Sequence, residues 1–307
     1  MSEFPFAYRI WRFLRKPWPE KVRSLRYRFK RLWNKVVPSV PLPTKLPWGD
    51  WWLAWNDVCG DAVFVGDFEE SERQFVERFL KPGMIVLDIG AHHGFYTLLA
   101  SHKVGLTGKV IAFEPSPRER QRLLWHLRLN RRKNVLVEPF ALGNHEGTTQ
   151  LFLVQGRDTG CNSLCSPRTA DPVSPIQVLI VQLDDYFERQ GITHVDFIKM
   201  DVEGAELEVL RGATLLLSRK PRPIWMMEVQ DIRTEAFGYS AKDIVEFMQE
   251  RDFRWFKITQ QGKLLPLSDP SELHDWSGYN FVAVPIERLE EVRPLIDEAI
   301  YPCPSSA

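Results

Sequence analysis

The chain has 307 residues, 44% apolar and 12% aromatic, enough to bury a sizeable core, which excludes a disordered or fibrous protein. Forty basic residues balance forty acidic ones, but eleven of the basic residues fall in positions 1–35 against Glu3 and Glu20 alone, a net of +9 that leaves −9 on the rest. The expectation is a mildly acidic globular body carrying a basic arm.

The arm comes first. From Trp18 its apolar residues run Trp18, Val22, Leu25, Phe29, Leu32, Trp33 and Val36, and steps of three and four mark one face of a helix. Lys21, Arg23, Arg26, Arg28, Lys30, Arg31 and Lys35 fill most of the rest. Pro17 and Pro19 suit its start and Pro38 its stop. Residues 38–48 are proline-rich and read as a stiff linker, followed by Trp48, Trp51, Trp52 and Trp55. No apolar run approaches the roughly 18 residues that span a bilayer. Arg12, Arg15 and Lys16 interrupt what would be the apolar stretch of a signal peptide. Four cysteines make no disulfide scaffold, so a reducing, cytoplasmic compartment is the expectation.

From about residue 68 an α/β pattern begins. Helices are expected over 70–80, 95–103, 117–130, 204–218 and 241–251. Strands are expected over 85–89, 110–113, 195–200, 223–227, 253–259 and 280–284, with another starting at 135. Residues 149–154 and 177–181 alternate like exposed strands around an irregular loop. Strands alternating with helices imply a mostly parallel sheet covered on both faces. The domain reading is an arm over 1–37, a lead-in over 38–67, the main domain over 68–288 and a tail helix over 289–307.

The chemistry concentrates where the first strand of that domain turns into its helix. There Asp88 is followed by Ile89-Gly90-Ala91-His92-His93-Gly94. Gly90 and Gly94 allow a sharp turn and close backbone approach to a ligand. A carboxylate before the glycines suits a cationic ligand group better than a pyrophosphate. Glu114, in Phe113-Glu114-Pro115, follows Gly94 by twenty residues, the distance at which an acid reaches both hydroxyls of a ribose. S-adenosyl-L-methionine meets these requirements. The rival ligand is an NAD-type dinucleotide, but its fingerprint needs a glycine where this chain has His92. A plain tight turn is the third reading.

Asp88–Thr97, Phe113-Glu114-Pro115, Asn130, Ala141-Leu142-Gly143, Asn162-Ser163-Leu164, Leu183-Asp184-Asp185 and the run Ile198-Lys199-Met200-Asp201-Val202-Glu203-Gly204-Ala205-Glu206 together resemble the FkbM family of S-adenosylmethionine-dependent methyltransferases, over roughly residues 65–285. The resemblance implies a class I methyltransferase fold, Rossmann-like, with a seven-stranded sheet whose last strand, here 280–284, is antiparallel. It also implies O-methylation of a sugar, glycolipid or natural-product hydroxyl. The family usually has Asn at the position of His92.

The expected cofactor site comprises Asp88, Gly90, Ala91, His92, Gly94, Glu114 and Pro115, with Ala141 and Leu142 against adenine or as ordinary core. Asp201 is the expected general base, then Glu203, then Glu228; Asp201 and Glu203 also read as caps of the helix near Gly204. Lys199 and Glu206 are expected to pair and fix that loop. Cys161 and Cys165 lack partners at ligand spacing, so no metal is expected. The irregular segments 155–176 and before 70 are the expected lid over a small-molecule, carbohydrate or lipid acceptor. The arm admits a helix docked on the body, a peripheral helix on an anionic membrane through residues 18–37, or, less readily, a nucleic-acid contact. An oxidoreductase and a membrane-recruited binding module without turnover remain as alternatives.

Overall fold

The computed structural model describes residues 17–267 and 280–297. The first sixteen residues of the arm and the end of the expected tail helix lie outside them. The chain divides into two compact units, residues 1–68 and 69–307.

In the first unit, α1 (Trp18–Val36) has Pro19 in its first turn and ends before Pro38. The proline-rich run is not only a linker: it holds β1 (Leu42–Lys45), paired antiparallel with β2 (Trp51–Ala54). A two-stranded ribbon has two edges, so Pro43 removes no interior ladder bond. Leu42 and Thr44 point inward, while Pro43 and Lys45 face out. α2 (Val58–Val65) is capped by the Asp57 side chain, which accepts the Gly60 N–H at 2.6 Å.

The second unit runs α3 (Glu70–Phe79), β3 (Ile85–Ile89), α4 (Phe95–Val104), β4 (Lys109–Phe113), α5 (Pro117–Leu129), β5 (Val135–Glu138), β6 (Ala141–Leu142), β7 (Gly147–Val154), β8 (Val173–Val181), α6 (Leu183–Gln190), β9 (Phe197–Met200), α7 (Glu206–Arg211), α8 (Thr214–Ser218), β10 (Ile224–Glu228), α9 (Asp231–Thr234), α10 (Ala241–Gln249), β11 (Phe253–Ile258), β12 (Leu264–Pro266), β13 (Asn280–Pro285) and α11 (Leu289–Val292). The main sheet has the order β12-β11-β13-β10-β9-β3-β4-β5. β10, β9, β3, β4 and β5 are parallel; β13 runs antiparallel between β10 and β11. Short β12 makes the sheet eight-stranded rather than seven-stranded. β6, β7 and β8 form a separate small sheet.

Both faces of the main sheet are covered, which is why its central strands are apolar at consecutive positions. On one face Leu87, Ile111, Ile198 and Trp225 pack with Tyr186, Leu207, Ile244 and Met248. On the other, Phe75 and Phe79 of α3 meet Phe197, with ring centroids 6.3 and 5.5 Å apart. The helix expected over 204–218 is broken into α7 and α8. Gly212 lies so close to another chain segment that a Cβ there would sit 2.0 Å from the Gly143 carbonyl. Asp184 then accepts the Leu215 and Leu216 N–H groups at 2.8 and 3.1 Å, starting α8 afresh.

Candidate active site

β3, β4 and β9 end at Ile89, Phe113 and Met200. As parallel neighbours they deliver the following loops to one edge, and strand order reverses between β3 and β9. Open parallel sheets hold ligands at such a point. A cavity opens there, at the place where small-molecule sites of open α/β sheets form. Gly90 and His92 follow β3 into its wall, Glu114 and Pro115 follow β4, Ala141 and Leu142 come from β6, and Asp201 and Glu203 follow β9. The loop between β7 and β8 contributes Thr159, Asn162 and Ser163, from the segment expected as a lid. Asp88, Ala91, Gly94 and Glu228 lie outside this lining.

Gly90 and Gly94 both turn the chain with positive φ, and each is also held by a contact within the protein. Gly90 has φ +77°, and a Cβ on it would stand 1.8 Å from the Asp201 carbonyl oxygen. The missing side chain therefore lets the β3 loop cross the end of β9. At Gly94 a Cβ would meet Leu123 Cγ of α5 at 2.8 Å, so helix packing sets that glycine. The Gly90 and Ala91 N–H groups both donate to the Phe113 carbonyl at 3.0 Å, clamping the turn to β4.

Asp88 is 1% exposed. Its Oδ2 accepts from the Thr97 hydroxyl, while Oδ1 is buried without a hydrogen-bond partner among the described residues. Burial raises its pKa against the pull of Lys199. His92 adopts φ +49° and donates its N–H to Glu114 Oε2 at 2.7 Å. Its Nε2 lies 3.1 Å from Thr159 Oγ1, and its ring stacks on His93 at 3.7 Å. His93 Nε2 lies 2.9 Å from Arg122; burial, with the charges of His92 and Arg122, holds it well below the usual imidazole range.

Glu114 also accepts the Ser116 N–H at 2.8 Å. Burial and the nearby Glu119 push its carboxyl up to about 8. A wall carboxyl held by two N–H donors, with lone pairs left, can receive a pair of vicinal hydroxyls. The orphaned Asp88 oxygen behind the turn and the Glu114 acceptor at its rim fit an adenosine ligand with a cationic amino group.

Three acids crowd the other side. Asp201, Glu203 and Glu228 each bring an oxygen within 4.8 Å of the others, close enough for one divalent cation to bridge. The positive charges set against them are Lys199 and Arg233. Lys199 Nζ lies 2.9 Å from Asp201 Oδ2 and 5.4 Å from the Tyr96 ring. Burial works against its charge, but Asp201, Asp88 and Glu69 outweigh this and raise its pKa. Glu69, which accepts the Tyr96 hydroxyl at 2.6 Å, is pushed by burial up to about 7. Arg233 Nε stands 2.9 Å from Glu203 Oε2 as an ion pair. Glu203 is raised by burial and then by Asp201 and Glu228. Burial and Asp201 push Glu228 up to about 8.

Lys199 therefore pairs with Asp201, not with Glu206. Glu206 instead accepts the Val202 and Gly204 N–H groups at 3.2 and 3.3 Å, and Ala205 occupies the cap of α7 with no side-chain bond. Neither Asp201 nor Glu203 caps that helix. Cys161 and Cys165 are free thiols, and burial pushes Cys161 up to about 12. Arg233, on the short α9, was not foreseen: an arginine thirty residues past Glu203 carries no local pattern that ties it to the site.

A second cavity adjoins the first. It shares Ser163 and Glu203 with it and is otherwise lined by Cys165, Arg168, Arg233, Glu235 and their neighbours. The Ser163 hydroxyl donates to the Glu203 carbonyl at 2.8 Å, at the partition between the two.

The family model described as "Methyltransferase FkbM domain" matches residues 88–255. Methyltransferase 1 of Beauveria bassiana is 27% identical over 143 residues, 41% of this chain and 57% of its own length. The 2-O-methyltransferase NoeI of Sinorhizobium fredii is 28% identical over 162 residues, 48% of this chain and 64% of its own. A Pseudomonas aeruginosa protein, the AMB antimetabolite synthetase AmbE, is 24% identical over 308 residues, 83% of this chain but 14% of its length. The chain thus spans less than two thirds of each of these relatives. Among solved structures, the methyltransferase FkbM of Methylobacillus flagellatus is 16% identical with a TM-score of 0.41, covering 73% of this chain and 54% of that one.

Proposed function

Because this chain belongs to the FkbM methyltransferase family, we propose that it moves a methyl group from S-adenosyl-L-methionine to a hydroxyl of a sugar, glycolipid or natural product. The observation that carries the proposal is that Glu114 and Asp201 both line one cavity at the switch point of the sheet, following strands on either side of β3. The bound cofactor supplies an electrophilic methyl carbon with a good leaving group. The protein must then align the acceptor oxygen and keep water out.

Glu114 would receive the ribose hydroxyls, Ala141 and Leu142 would flank the base, and Asp88, behind the turn, would balance the charge of the amino group. The acceptor comes from the side of the second cavity, past Ser163, Glu203 and Arg233. Its hydroxyl loses a proton to Asp201, which lines the cavity and is held by Lys199. Glu203 and Glu228, both raised by burial, share that proton within the acid cluster. General base assistance of this kind contributes about 10²- to 10⁴-fold. The lining toward the acceptor is polar and charged, which suits a polyhydroxylated molecule.

Calorimetry with S-adenosylhomocysteine and with NAD tests the cofactor: binding of the first with no heat from the second is expected, and the reverse overturns the proposal. A screen of cell extract with methyl-labelled cofactor then tests turnover. A labelled product one methylene heavier than its precursor separates an enzyme from a binding module without turnover.

A further inference from the structure

α1 of the first unit leaves part of its apolar surface uncovered, while Val22 and Trp33 are half-buried and the Phe29 ring stacks on Phe64 at 6.3 Å. Trp18, Leu25, Phe29, Leu32 and Val36 follow one another on α1 by seven, four, three and four residues, a single stripe. In a helix that covers a core this stripe faces inward. Here all five are exposed, Trp18 to 76% and Leu32 to 61%. The inward side carries a cation beside the half-buried Val22 and Trp33. Lys30 is fully buried, and its ammonium donates to the Ala54 and Trp55 carbonyls at 2.6 and 2.8 Å and to Asn34 Oδ1 at 3.1 Å. Arg26 Nη2, on the same side, reaches Thr44 Oγ1 at 3.1 Å. These bonds fix the roll of the helix about its axis, so the outward stripe is a built feature. An exposed apolar stripe of this kind marks a surface that something covers.

Charge selects what covers it. Lys21, Arg28, Arg31 and Lys35 lie along one flank of the stripe, and α1 as a whole carries seven Lys/Arg against Glu20. A second copy would bring the same positive charge. A nucleic acid would use the cations but leave the apolar stripe in water. An anionic lipid surface takes both: acyl chains under the stripe and headgroups against the flank. No helix among the described residues is long and apolar enough to cross a membrane, so α1 would lie in the plane. We propose that α1 is an interfacial helix that seats the protein on an anionic membrane surface, with Trp18, Leu25, Phe29, Leu32 and Val36 as the inserted face. The proposal is independent of the reaction assigned above.

Flotation of the full chain with vesicles tests it. Phosphatidylcholine vesicles with about 30 mol % phosphatidylserine should carry the protein upward, and pure phosphatidylcholine should not. Leu25→Asp with Leu32→Asp removes the stripe without touching a buried residue, and should reduce the bound fraction at least about tenfold. Lys21→Glu with Lys35→Glu should reduce it comparably, as should raising salt to about 0.5 M with the native chain. Failure to float with either vesicle, equal flotation with both, or undiminished binding by the Leu25/Leu32 variant overturns the proposal. So does sedimentation showing a dimer that the same variant dissolves, which would assign the stripe to a second copy. Retention on single-stranded RNA in place of vesicles would assign the helix to nucleic acid and equally overturn it.

Discussion

Replacing Glu114 by Gln probes the grip on the cofactor through a proton. The Glu114 carboxyl is pushed up to about 8, so at pH 7 roughly nine of ten free protein molecules hold it neutral. Two ribose hydroxyls donate best to the ionised form, and binding therefore expels the proton. The sign follows: affinity rises with pH, about tenfold per unit below 8, and levels off above. Free Glu114 acts oppositely on the fold. Its raised pKa makes ionisation costly, so the stability present below the ordinary glutamate value is lost as pH rises to about 8. Gln keeps one acceptor oxygen and never ionises. Hydrogen bonds to charged groups contribute about 1.5–3 kcal/mol each, so losing one weakens binding by roughly ten- to hundredfold at alkaline pH. Calorimetry with S-adenosylhomocysteine in two buffers of different ionisation enthalpy reads both quantities. The native chain should release close to one proton at neutral pH and none at alkaline pH, and the Gln variant none at either. A native chain that releases no proton at neutral pH, or a variant that binds as tightly as the native chain at alkaline pH, refutes the reasoning.

Four further substitutions separate the roles at the site. Asp201→Asn should reduce turnover far more than affinity for S-adenosylhomocysteine, whereas Glu228→Gln should chiefly flatten the rise of rate with pH toward about 8, the value to which burial pushes Glu228; equal loss of turnover and affinity in Asp201→Asn would contradict a base. Gly90→Ala places a Cβ 1.8 Å from the Asp201 carbonyl at φ +77°, so thermal denaturation should show a larger loss than Gly49→Ala, where φ is +98° but nothing lies within 4 Å and only backbone strain of about 1–3 kcal/mol applies. Lys199→Met leaves Asp201, Asp88 and Glu69 facing one another without their buried cation, a loss of about 3–5 kcal/mol in denaturant unfolding; adding Asp201→Asn should recover part of it, and a single variant as stable as the native chain would sink the assignment.

The strands and helices that build the cavity were legible because local signals and tertiary demands agree there. Ile85–Ile89 is apolar except for Asp88, as suits a strand buried on both faces, and Gly90 ends it where the loop crosses the end of β9. What was not legible depends on residues distant in sequence. At the break between α7 and α8 the Gly143 carbonyl stands 2.0 Å from where a Cβ on Gly212 would be, a contact that no periodicity within 204–218 contains. Arg233 reaches Glu203 only because β10 returns α9 to the same edge. The arm shows the limit most directly. Which of its apolar residues point outward depends on Lys30, whose partners Ala54 and Trp55 lie beyond the proline-rich run.

The small sheet of β6, β7 and β8 sets Thr159, Asn162 and Ser163 into the cavity wall although no strand of the main sheet runs through it. Its long ribbon, registered from Gly147 opposite Ile180 to Val154 opposite Val173, can lengthen, shorten or be exchanged without shifting a single pairing among the five parallel strands. The wall supplied by Thr159, Asn162 and Ser163 is thereby carried on a piece of chain separate from the turns after β3 and β4 that supply His92 and Glu114, and an engineer can exchange the first while leaving the second untouched.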